Sequence, residues 1–580
     1  MTASPPLKTK FKQMKKYYIL LVLATLSIEL TVAQNRYKTQ DLSILAKTWG
    51  HLKYYHPEIA NGKHNWDSIL ICSIQNILVS KKREQVKKEL GKLFKTAGEN
   101  TAAECSAINM LPVSLKNYDN SWIEESSILS HEQKQLLIFN TKHPYSGLNF
   151  YAQPNPDNDS TVFTPNEKPY KEMLYPDVNY RLLALFRFWN VINYYYPYKY
   201  AIGKPWASVL TEMIPVMVGV TDTLSYHKAL AKMSATINDS HGSIWPSVFT
   251  SFTGRYSPPF NFALIGGKAV VTKIVDSLLC NGSNIQVGSV ISSIDDISIR
   301  QRIKANLDYV AASNYGGKLK TMHAFILNSH IPQASYSFQN PDGKKVIANI
   351  KQVERNFIKE YSDFMKMTSP VIAKVMDGNI GYIYFSNLNN KNLDSAMNVV
   401  GKTKAIIFDM RNYPTNGYGI YYVPNYLLSQ SKIYARNSYP NFTFPGMFNY
   451  KIANDNTNFS KVGKDNLNPY QGKVILLVDH RTQSAAEWAC MTLMTAGKVT
   501  VIGSQTAGAD GNVTRTILPG NYNINFSGLG IYFPDGTETQ RIGIPIDIKV
   551  RYTINDMINN NDPALNRAIE FANQKRNNNQ

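Results

Sequence analysis

The pattern of apolar and polar positions divides the chain into a helical first part and a later part in which strands dominate or alternate with helices. Apolar residues at helical spacing predict helical regions over residues 37–150 and 170–250. Alternating and β-branched runs predict a β-rich module over residues 257–352. Beyond it, short apolar strands separated by helical patterns predict a layered α/β domain over residues 366–556.

Together these regions predict a multidomain α+β protein: an N-terminal helical repeat unit, a β-rich module and a C-terminal layered α/β domain. A polar stretch with several prolines and asparagines predicts a linker over residues 151–169. Residues 557–580 are expected to form a C-terminal tail. With 580 residues, the chain is long enough for several domains that each bury a core.

The two helical regions contain an internal repeat. Residues 45–57 (LAKTWGHLKYYHP) recur as residues 185–197 (LFRFWNVINYYYP), and the match continues without a gap to Trp66 and Trp206. The aromatic positions fall at helical spacing, and each proline ends its helix. The repeat predicts two helical hairpins packed as a pseudo-symmetric unit. Such an aromatic stripe is more often core than a ligand platform, so we expect Trp49 and Trp189 to be buried.

The first residues resemble an export signal. Lys15 and Lys16 precede an apolar run over residues 17–28, and small residues at 31–33 provide a cleavage site before Gln34. We therefore expect residues 1–33 to be a signal peptide and the mature protein to be periplasmic or associated with the cell envelope. The apolar runs in later segments are too short to cross a membrane, so we expect no transmembrane anchor after signal cleavage.

The net charge is +20, but the excess is spread along the chain, without an arginine-rich helix, zinc finger or RNA-binding aromatic motif. Nucleic acid is therefore not an expected partner. The four cysteines are widely and irregularly spaced, which argues against a metal site or a dense disulfide framework. A bridge between Cys72 and Cys105 remains open.

Candidate chemistry begins at Ser484. An apolar strand ends near Asp479, a polar turn follows, and a helix-favouring run starts directly after the serine. Unpaired backbone N–H groups and the helix dipole favour an oxyanion there, which makes Ser484 a candidate nucleophile, although it could also be a plain helix N-cap. His241, in a polar turn, is the best candidate base, ahead of His480.

Four segments carry a family resemblance. Residues 482–487 (TQSAAE) and 503–508 (GSQTAG) resemble the active-site segment of the tail-specific (C-terminal processing) serine peptidase family. Residues 406–412 resemble the family's strand that ends in Asp-x-Arg before the oxyanion loop, and residues 287–299 resemble its PDZ-like module. The resemblance covers roughly residues 235–556 and implies a PDZ-like module over 257–352 and a peptidase domain over 366–556.

Within this family the chain resembles the tricorn-like branch. The processing peptidases carry a lysine base at the place occupied here by Ala509, whereas Asp239-Ser240-His241 matches the histidine turn of the tricorn-like branch. The resemblance implies Ser484 as nucleophile, His241 as base and Ser240 as a residue that helps to position the imidazole. It implies cleavage of peptides or unfolded proteins through an acyl-enzyme, with no metal or organic cofactor.

Two parts of the site depart from the family. The family's supporting glutamate falls at Gln540, with Glu538 nearby but out of register, and the usual glycine run of the oxyanion loop is replaced around Gly417. Ala485 and Gly417 are the candidate oxyanion donors. These departures keep an alternative open: a non-catalytic periplasmic protein that binds peptides or lipophiles on the same fold. A glycan-handling protein is a weaker alternative, and the sequence does not predict the oligomeric state.

Overall fold

The computed structural model describes residues 38–574 except 81, 101–112, 158–160, 245–246, 355–370, 415–416 and 452–460. The expected signal peptide and Cys105 lie outside the described residues. Cys72 is exposed with a free thiol. In the described part of the chain, no helix is both long and apolar enough to cross a membrane.

Helices build the first part of the chain, as the pattern predicts. The larger ones span residues 38–55, Trp66–Val79, Arg83–Ala97, Ser121–Glu125, His131–Lys142, Val178–Tyr195, Trp206–Val218 and Thr223–Ala235. Both copies of the repeat consist of a long helix ended by its proline and a second helix that begins at a tryptophan. The second copy continues into helix Thr223–Ala235, which leads to the turn of His241.

Each copy is closed by the same pair of tryptophans. Trp49 Nε1 donates to the carbonyl of Trp66 at 3.1 Å, and Trp66 Nε1 donates back to the carbonyl of Trp49 at 3.0 Å. Trp189 and Trp206 repeat this exchange with two bonds of 3.0 Å. All four side chains are buried, so the aromatic stripe is core, as expected.

The two copies meet at equivalent positions. Gly50 and Asn190 correspond in the repeat, and a Cβ at Gly50 would lie 1.8 Å from Asn190 Oδ1, so only glycine lets the long helices cross here. Asn190 Nδ2 donates to the carbonyl of Ala46 at 3.0 Å. Tyr54 and Tyr194, also equivalent, pack edge to face with ring centroids 5.3 Å apart. These contacts support the predicted pseudo-symmetric unit.

The expected linker, residues 151–169, is packed rather than loose. Its short strands Gln153–Pro154 and Val162–Phe163 pair with each other, and Glu167 reaches into the repeat unit. There Glu167 pairs with Lys53 and, at 2.8 Å, with Arg187, which also pairs with Asp67. All four charged side chains are almost fully buried, so this segment holds the two copies together.

The β-rich module forms one antiparallel sheet. Its strands lie in the order Lys345–Lys351, Gln333–Gln339, Val290–Ile294, Lys268–Ile274 and Phe260–Ile265, with Ile297–Ser298 attached to Val290–Ile294. Helix Ile299–Asn306 and a 3-10 turn over Leu307–Tyr309 follow strand Ile297–Ser298. A second helix, Tyr315–His323, lies against the edge strand: His323 Nε2 is 2.7 Å from the carbonyl of Phe262.

The C-terminal domain is a layered α/β sheet, as predicted. Strand Ala373–Met376 is antiparallel to its neighbour, and the rest are parallel, in the order Ile380–Tyr384, Ala405–Asp409, Lys473–Val478, Val499–Gly503 and Ile548–Lys549. Helices Leu393–Val400 and Ala485–Met494 bury apolar side chains against one face. Shorter helices Tyr418–Tyr422 and Pro424–Leu427 follow the strand that ends in Asp-x-Arg.

The expected C-terminal tail, residues 557–580, contains a helix. Residues 563–573 form helix Pro563–Asn573, which covers the other face of the sheet. Ala564, Ala568 and Ala572, spaced four apart, are buried against the strands. Asp562, which caps this helix, also accepts two hydrogen bonds from Arg411.

Smaller sheets connect the three regions. Strand Tyr522–Ser527 pairs with Val513–Leu518 on one side and with the short strand Ser243–Ile244 on the other. Because strand Ser243–Ile244 begins two residues after His241, this pairing brings the histidine turn to the C-terminal domain. The remaining strands are Val113–Ser114, Phe448–Lys451, Arg436–Pro440 and Gly530–Tyr532 in one sheet, with the two-stranded pairs Lys432–Ile433 with Lys461–Val462 and Tyr256–Ser257 with Val353–Glu354.

Candidate active site

Ser484 lies at the start of helix Ala485–Met494 in a backbone conformation that favours glycine. Its φ is 54° and its ψ is −120°, whereas an ordinary N-cap residue is extended. A non-glycine residue in such a region costs about 1–3 kcal/mol and persists only when its surroundings hold it. The sharp strand-to-helix turn is the type that presents a nucleophilic hydroxyl. This conformation favours the nucleophile over the plain N-cap.

Glu487 holds that turn. Its buried carboxylate accepts hydrogen bonds from the N–H groups of Ser484 (3.3 Å), Gly508 (2.8 Å) and Ala509 (3.0 Å), and from Thr506 Oγ1 (2.5 Å). Burial nevertheless raises the pKa of Glu487. The Ser484 N–H also donates to the carbonyl of Ala509 at 3.0 Å. Glu487 was visible in the motif, but only the structure assigns it these contacts.

His241 lies in a turn that hydrogen bonds hold in place. Its backbone N–H donates to Asp239 Oδ1 at 3.0 Å. Nδ1 is 2.9 Å from the hydroxyl of Ser527. Nε2 is buried and has no hydrogen-bond partner among the described residues. The ring therefore has one nitrogen fixed and the other available.

The carboxylate near His241 is Asp239, and the sequence assigned it no such role. Asp239 is fully buried and accepts from the N–H of Ser527 at 2.7 Å, from the hydroxyl of Ser527 at 3.0 Å and from Gln540 Nε2 at 3.3 Å. The position of Asp239 in the histidine turn was visible in the sequence. Its link to His241 through Ser527 depends on the pairing of two distant strands.

The two residues predicted as carboxylate support lie in different places. Gln540 is within the site and bonds Asp239, but it carries no charge. Glu538 instead accepts from Tyr200 OH at 2.6 Å and pairs with Lys116 at 3.2 Å. Glu538 is therefore engaged with Tyr200 and Lys116 rather than with the imidazole of His241.

Ser240 joins the histidine turn to the turn of Ser484. The carbonyl of Ser240 accepts from Gln483 Nε2 at 3.2 Å, and its hydroxyl donates to the carbonyl of Ala507 at 2.8 Å. Ser240 and Ser313 also exchange two hydrogen bonds of 2.9 Å between backbone N–H and hydroxyl. The residues that precede the candidate base and nucleophile are thus in direct contact.

His241 and Ser484 themselves are not joined by a hydrogen bond in the described structure, because Nε2 has no partner. His241 and Gln483 line one cavity of about 200 Å³, together with Phe249, Tyr309 and Val513. Hydrogen bonds between catalytic groups are often long before substrate binds and shorten in the substrate complex. The two turns therefore lie side by side, but the hydrogen bond between His241 and Ser484 is not formed in this structure.

Lys320 is buried and contacts Gln483, one of the residues that line this cavity. Its Nζ donates to Gln483 Oε1 at 2.7 Å, and burial lowers its pKa to about 8. The pKa of His241 is lowered as well, first by burial and then by the charge of Lys320, while Asp239 opposes the shift. The imidazole is therefore neutral near pH 7, the state that a base requires.

The candidate oxyanion donors differ in their setting. Ala485 is the first residue of its helix, so its N–H belongs to the set without an intrahelical partner. Gly417 precedes helix Tyr418–Tyr422 and is exposed, and residues 415–416 beside it lie outside the described part. The loop is connected to the Ser484 turn because Thr482 Oγ1 donates to the carbonyl of Met410 at 3.0 Å. Ala485 is the better-placed donor.

Ala509 stands where the processing peptidases have a lysine, and its side chain is fully buried. Among the described residues, no group of three or more histidine, cysteine, aspartate or glutamate side chains is arranged to hold a metal ion.

Comparison with solved structures finds a similar fold in two structures of CPAF. The structure of mature CPAF complexed with lactacystin is 11% identical, with a TM-score of 0.52, over 68% of this chain and 98% of that chain. Mature CPAF alone is 11% identical, with a TM-score of 0.50, over 66% of this chain and 94% of that chain. The photosystem II D1 C-terminal processing protease is 13% identical, with a TM-score of 0.36, over 64% and 93%. A search of curated protein sequences finds no match.

The sequence itself matches a family model. Residues 379–550, which contain the Asp-x-Arg strand and Ser484, match peptidase family S41. This match covers the C-terminal domain, while the likeness to CPAF shows that the fold extends over about two thirds of the chain. Residues 379–550 therefore form a peptidase family S41 domain, and the chain is a serine-type peptidase.

Proposed function

We propose that this peptidase is an exported endopeptidase of the tricorn-like type, in which His241 removes the proton of Ser484. The Ser484 oxygen attacks the carbonyl carbon of a peptide bond and an oxyanion forms. His241 then returns the proton to the leaving amine, and water releases the acyl group by the same steps. Two side chains of this chain thus supply the nucleophile and the base.

One observation carries this proposal: the histidine turn is bonded to the nucleophile turn, with Nε2 left unpaired. Gln483 Nε2 donates to the carbonyl of Ser240 at 3.2 Å, which connects the residues that precede Ser484 and His241. His241 Nε2 is buried without a partner, and the backbone of Ser484 is held at a positive φ. We assign Ser240 as a positioning residue for the imidazole.

Backbone donors complete the site. We assign the N–H of Ala485 as the first oxyanion donor because it lies at the helix start directly after Ser484, and the N–H of Gly417 as the second. Each such donor contributes about 10²–10³ in rate in peptidases of known mechanism.

The proposed substrates are peptides or unfolded proteins. The β-rich module, which resembles a PDZ domain, would capture an extended segment by strand addition. Strand Phe260–Ile265 is the edge of its sheet, and helix Tyr315–His323 lies beside it. This helix also carries Lys320, so the proposed capture site and the reaction site share one element.

Export is proposed from the N-terminal sequence alone. Sequencing the first residues of the mature protein from the cell envelope fraction should give Gln34 as the new N-terminus. Detection of the intact N-terminus in the cytoplasmic fraction alone would contradict export and leave the enzymatic proposal untouched.

A fluorophosphonate probe tests the nucleophile directly. The wild type should be labelled at Ser484, identified by mass spectrometry, and should cleave an unfolded protein such as casein. Ser484→Ala should lose both labelling and cleavage. The matched control is Ser292→Ala, an exposed serine of the β-rich module, which should keep both.

The base is tested in the same assay. His241→Ala should reduce kcat by several orders of magnitude, while His131→Ala, on an exposed helix start, should leave it unchanged. Loss of activity in His480→Ala with retention in His241→Ala would reassign the base. If the Ser484→Ala variant cleaves the substrate at the wild-type rate, the proposed nucleophile is wrong.

A further inference from the structure

Behind His241, a carboxylate and a hydroxyl continue the hydrogen-bonded chain. The hydroxyl of Ser527 lies 2.9 Å from His241 Nδ1 and 3.0 Å from Asp239 Oδ1. The backbone N–H of Ser527 donates to Asp239 Oδ2 at 2.7 Å, which fixes the two residues relative to each other. Asp239 and Ser527 are fully buried and His241 is nearly so. At this depth a carboxylate acts strongly on its neighbours, because solvent screens it little.

The direction of these bonds follows from the proton count. A serine hydroxyl has one proton, and an ionised carboxylate can only accept. The Ser527 proton therefore goes to Asp239, and the Ser527 oxygen accepts from Nδ1–H of His241. The neutral imidazole then carries its proton on Nδ1 and a lone pair on Nε2. Nε2 is the ring nitrogen that has no partner in the described structure.

Gln540 completes the arrangement as a neutral donor. Its Nε2 donates to Asp239 Oδ1 at 3.3 Å and to Ser313 Oγ at 3.4 Å. A glutamate here, as the family resemblance implies, would place two carboxylates in contact in a buried site. Such a pair cannot be doubly ionised at low cost, so one member would take up a proton. The glutamine thus fits a site whose negative charge is already supplied by Asp239.

We propose that Asp239 is the positioning carboxylate of this peptidase, acting on His241 through the hydroxyl of Ser527, and that Gln540 is its neutral partner. This inference rests on the proposed roles of Ser484 and His241. When Nε2 takes the Ser484 proton, the imidazolium keeps its Nδ1 proton, and Asp239 stabilises the new positive charge. No proton moves along the chain, and Nε2 later gives its proton to the leaving amine.

The electrostatic surroundings make the proposal measurable. The groups that face His241 are Asp239 from its own turn, Lys320 from helix Tyr315–His323, and Tyr309, which lines the same cavity. Asp239 raises the pKa of the imidazole, whereas burial and Lys320 lower it. Removing the charge of Asp239 should therefore lower that pKa further. The acid limb of kcat/KM should move to lower pH.

Single variants give the first test. Asp239→Asn should reduce kcat on the order of 10²–10⁴-fold, as loss of an orienting carboxylate does in serine peptidases. Ser527→Ala should reduce kcat by about 10–10²-fold, and Ser527→Thr, which keeps the hydroxyl, should restore most of it. Thermal unfolding of each variant identifies any that fail to fold.

A charge swap gives the decisive test. In the wild-type background, Gln540→Glu should lower kcat, because it adds a second carboxylate beside Asp239. In the Asp239→Asn background the same substitution should raise kcat by at least about tenfold, because it restores a single negative charge. The acid limb should also return toward its wild-type position.

The outcomes separate this inference from the proposed function. If Ser484→Ala is inactive but Asp239→Asn keeps wild-type kcat and pH profile, the role assigned to Asp239 is wrong and the nucleophile stands. That role is also wrong if Gln540→Glu has the same effect in both backgrounds, since independent sites would be additive. Activity that survives Ser484→Ala overturns the proposed function itself.

Discussion

Nζ of Lys320 donates a hydrogen bond to Oε1 of Gln483 at 2.7 Å, so a helix of the β-rich module touches the residue before Ser484. The side chain of Gln483 is shared, because its Nε2 donates to the carbonyl of Ser240. One amide therefore connects three parts of the chain: the module, the nucleophile turn and the histidine turn.

Replacing this lysine should change the pH dependence of the reaction. The positive charge of Lys320 lowers the pKa of His241, so Lys320→Met should let that pKa rise. Because the neutral imidazole is the active form, the acid limb of kcat/KM should move to higher pH. Lys318→Met is the control, since Nζ of Lys318 bonds the carbonyl of Leu307. An unchanged limb in Lys320→Met would remove the proposed electrostatic role.

His51 should limit stability in acid. It is fully buried beside Tyr55, both ring nitrogens lack a partner among the described residues, and burial lowers its pKa to about 3. Below pH 6.5 His51 binds a proton in the unfolded chain but not in the folded protein. The free energy of unfolding therefore falls as the pH falls toward 3. At pH 5 this contribution is about 2 kcal/mol.

The repeat suggests the substitution that tests this. The position equivalent to His51 in the second copy is Val191. His51→Val should change the free energy of unfolding little at pH 8 and raise it by about 2 kcal/mol at pH 5. Urea unfolding at both pH values measures the difference, with the exposed His131→Gln as control. Equal effects at the two pH values would show that His51 is not the group that titrates.

The buried ion cluster should be costly to break. Arg187 pairs with both Asp67 and Glu167 at 1% exposure of its side chain, and Arg187→Met would leave two buried carboxylates short of a cation. We expect a loss of about 3–5 kcal/mol in the free energy of unfolding. Arg83→Met removes a half-exposed side chain that lies 3.9 Å from the buried Asp41, and it should cost less than about 1 kcal/mol. Similar losses for both variants would contradict the assigned importance of the cluster.

The two tryptophan pairs should contribute equally. Trp49→Phe and Trp189→Phe each remove an indole donor from a buried carbonyl, and each should cost about 1–3 kcal/mol by denaturant unfolding. Because the pairs have matching geometry, the two losses should agree within about 1 kcal/mol. KM for peptide substrates should not change. A selective rise in KM with full stability would instead indicate a binding role for the aromatic stripe.

Local patterns carried much of the prediction. The aromatic repeat predicted the two helical hairpins, and the strand-turn-helix pattern predicted the sharp turn at Ser484, because both depend on neighbours within one element. The helix over residues 563–573 also had a signal, since Ala564, Ala568 and Ala572 recur at helical spacing. It was missed because alanine is a weak marker of a buried face.

Contacts between distant segments could not be predicted. The family resemblance predicts carboxylate support for His241 at Glu538 or Gln540, whereas the structure places Asp239 and Ser527 beside the imidazole. Ser527 reaches His241 only because strand Ser243–Ile244 pairs with strand Tyr522–Ser527, and no local pattern encodes that register. The contact between Lys320 and Gln483 was out of reach for the same reason.

The junction around Ser240 has a consequence for the newly made enzyme. Its partners Ser313, Gln483 and Ala507 come from the β-rich module and the C-terminal domain, so no single region contains the working site. An incompletely folded chain therefore has the residues of the site but not their arrangement. We therefore expect peptidase activity only after all three regions have folded and packed together.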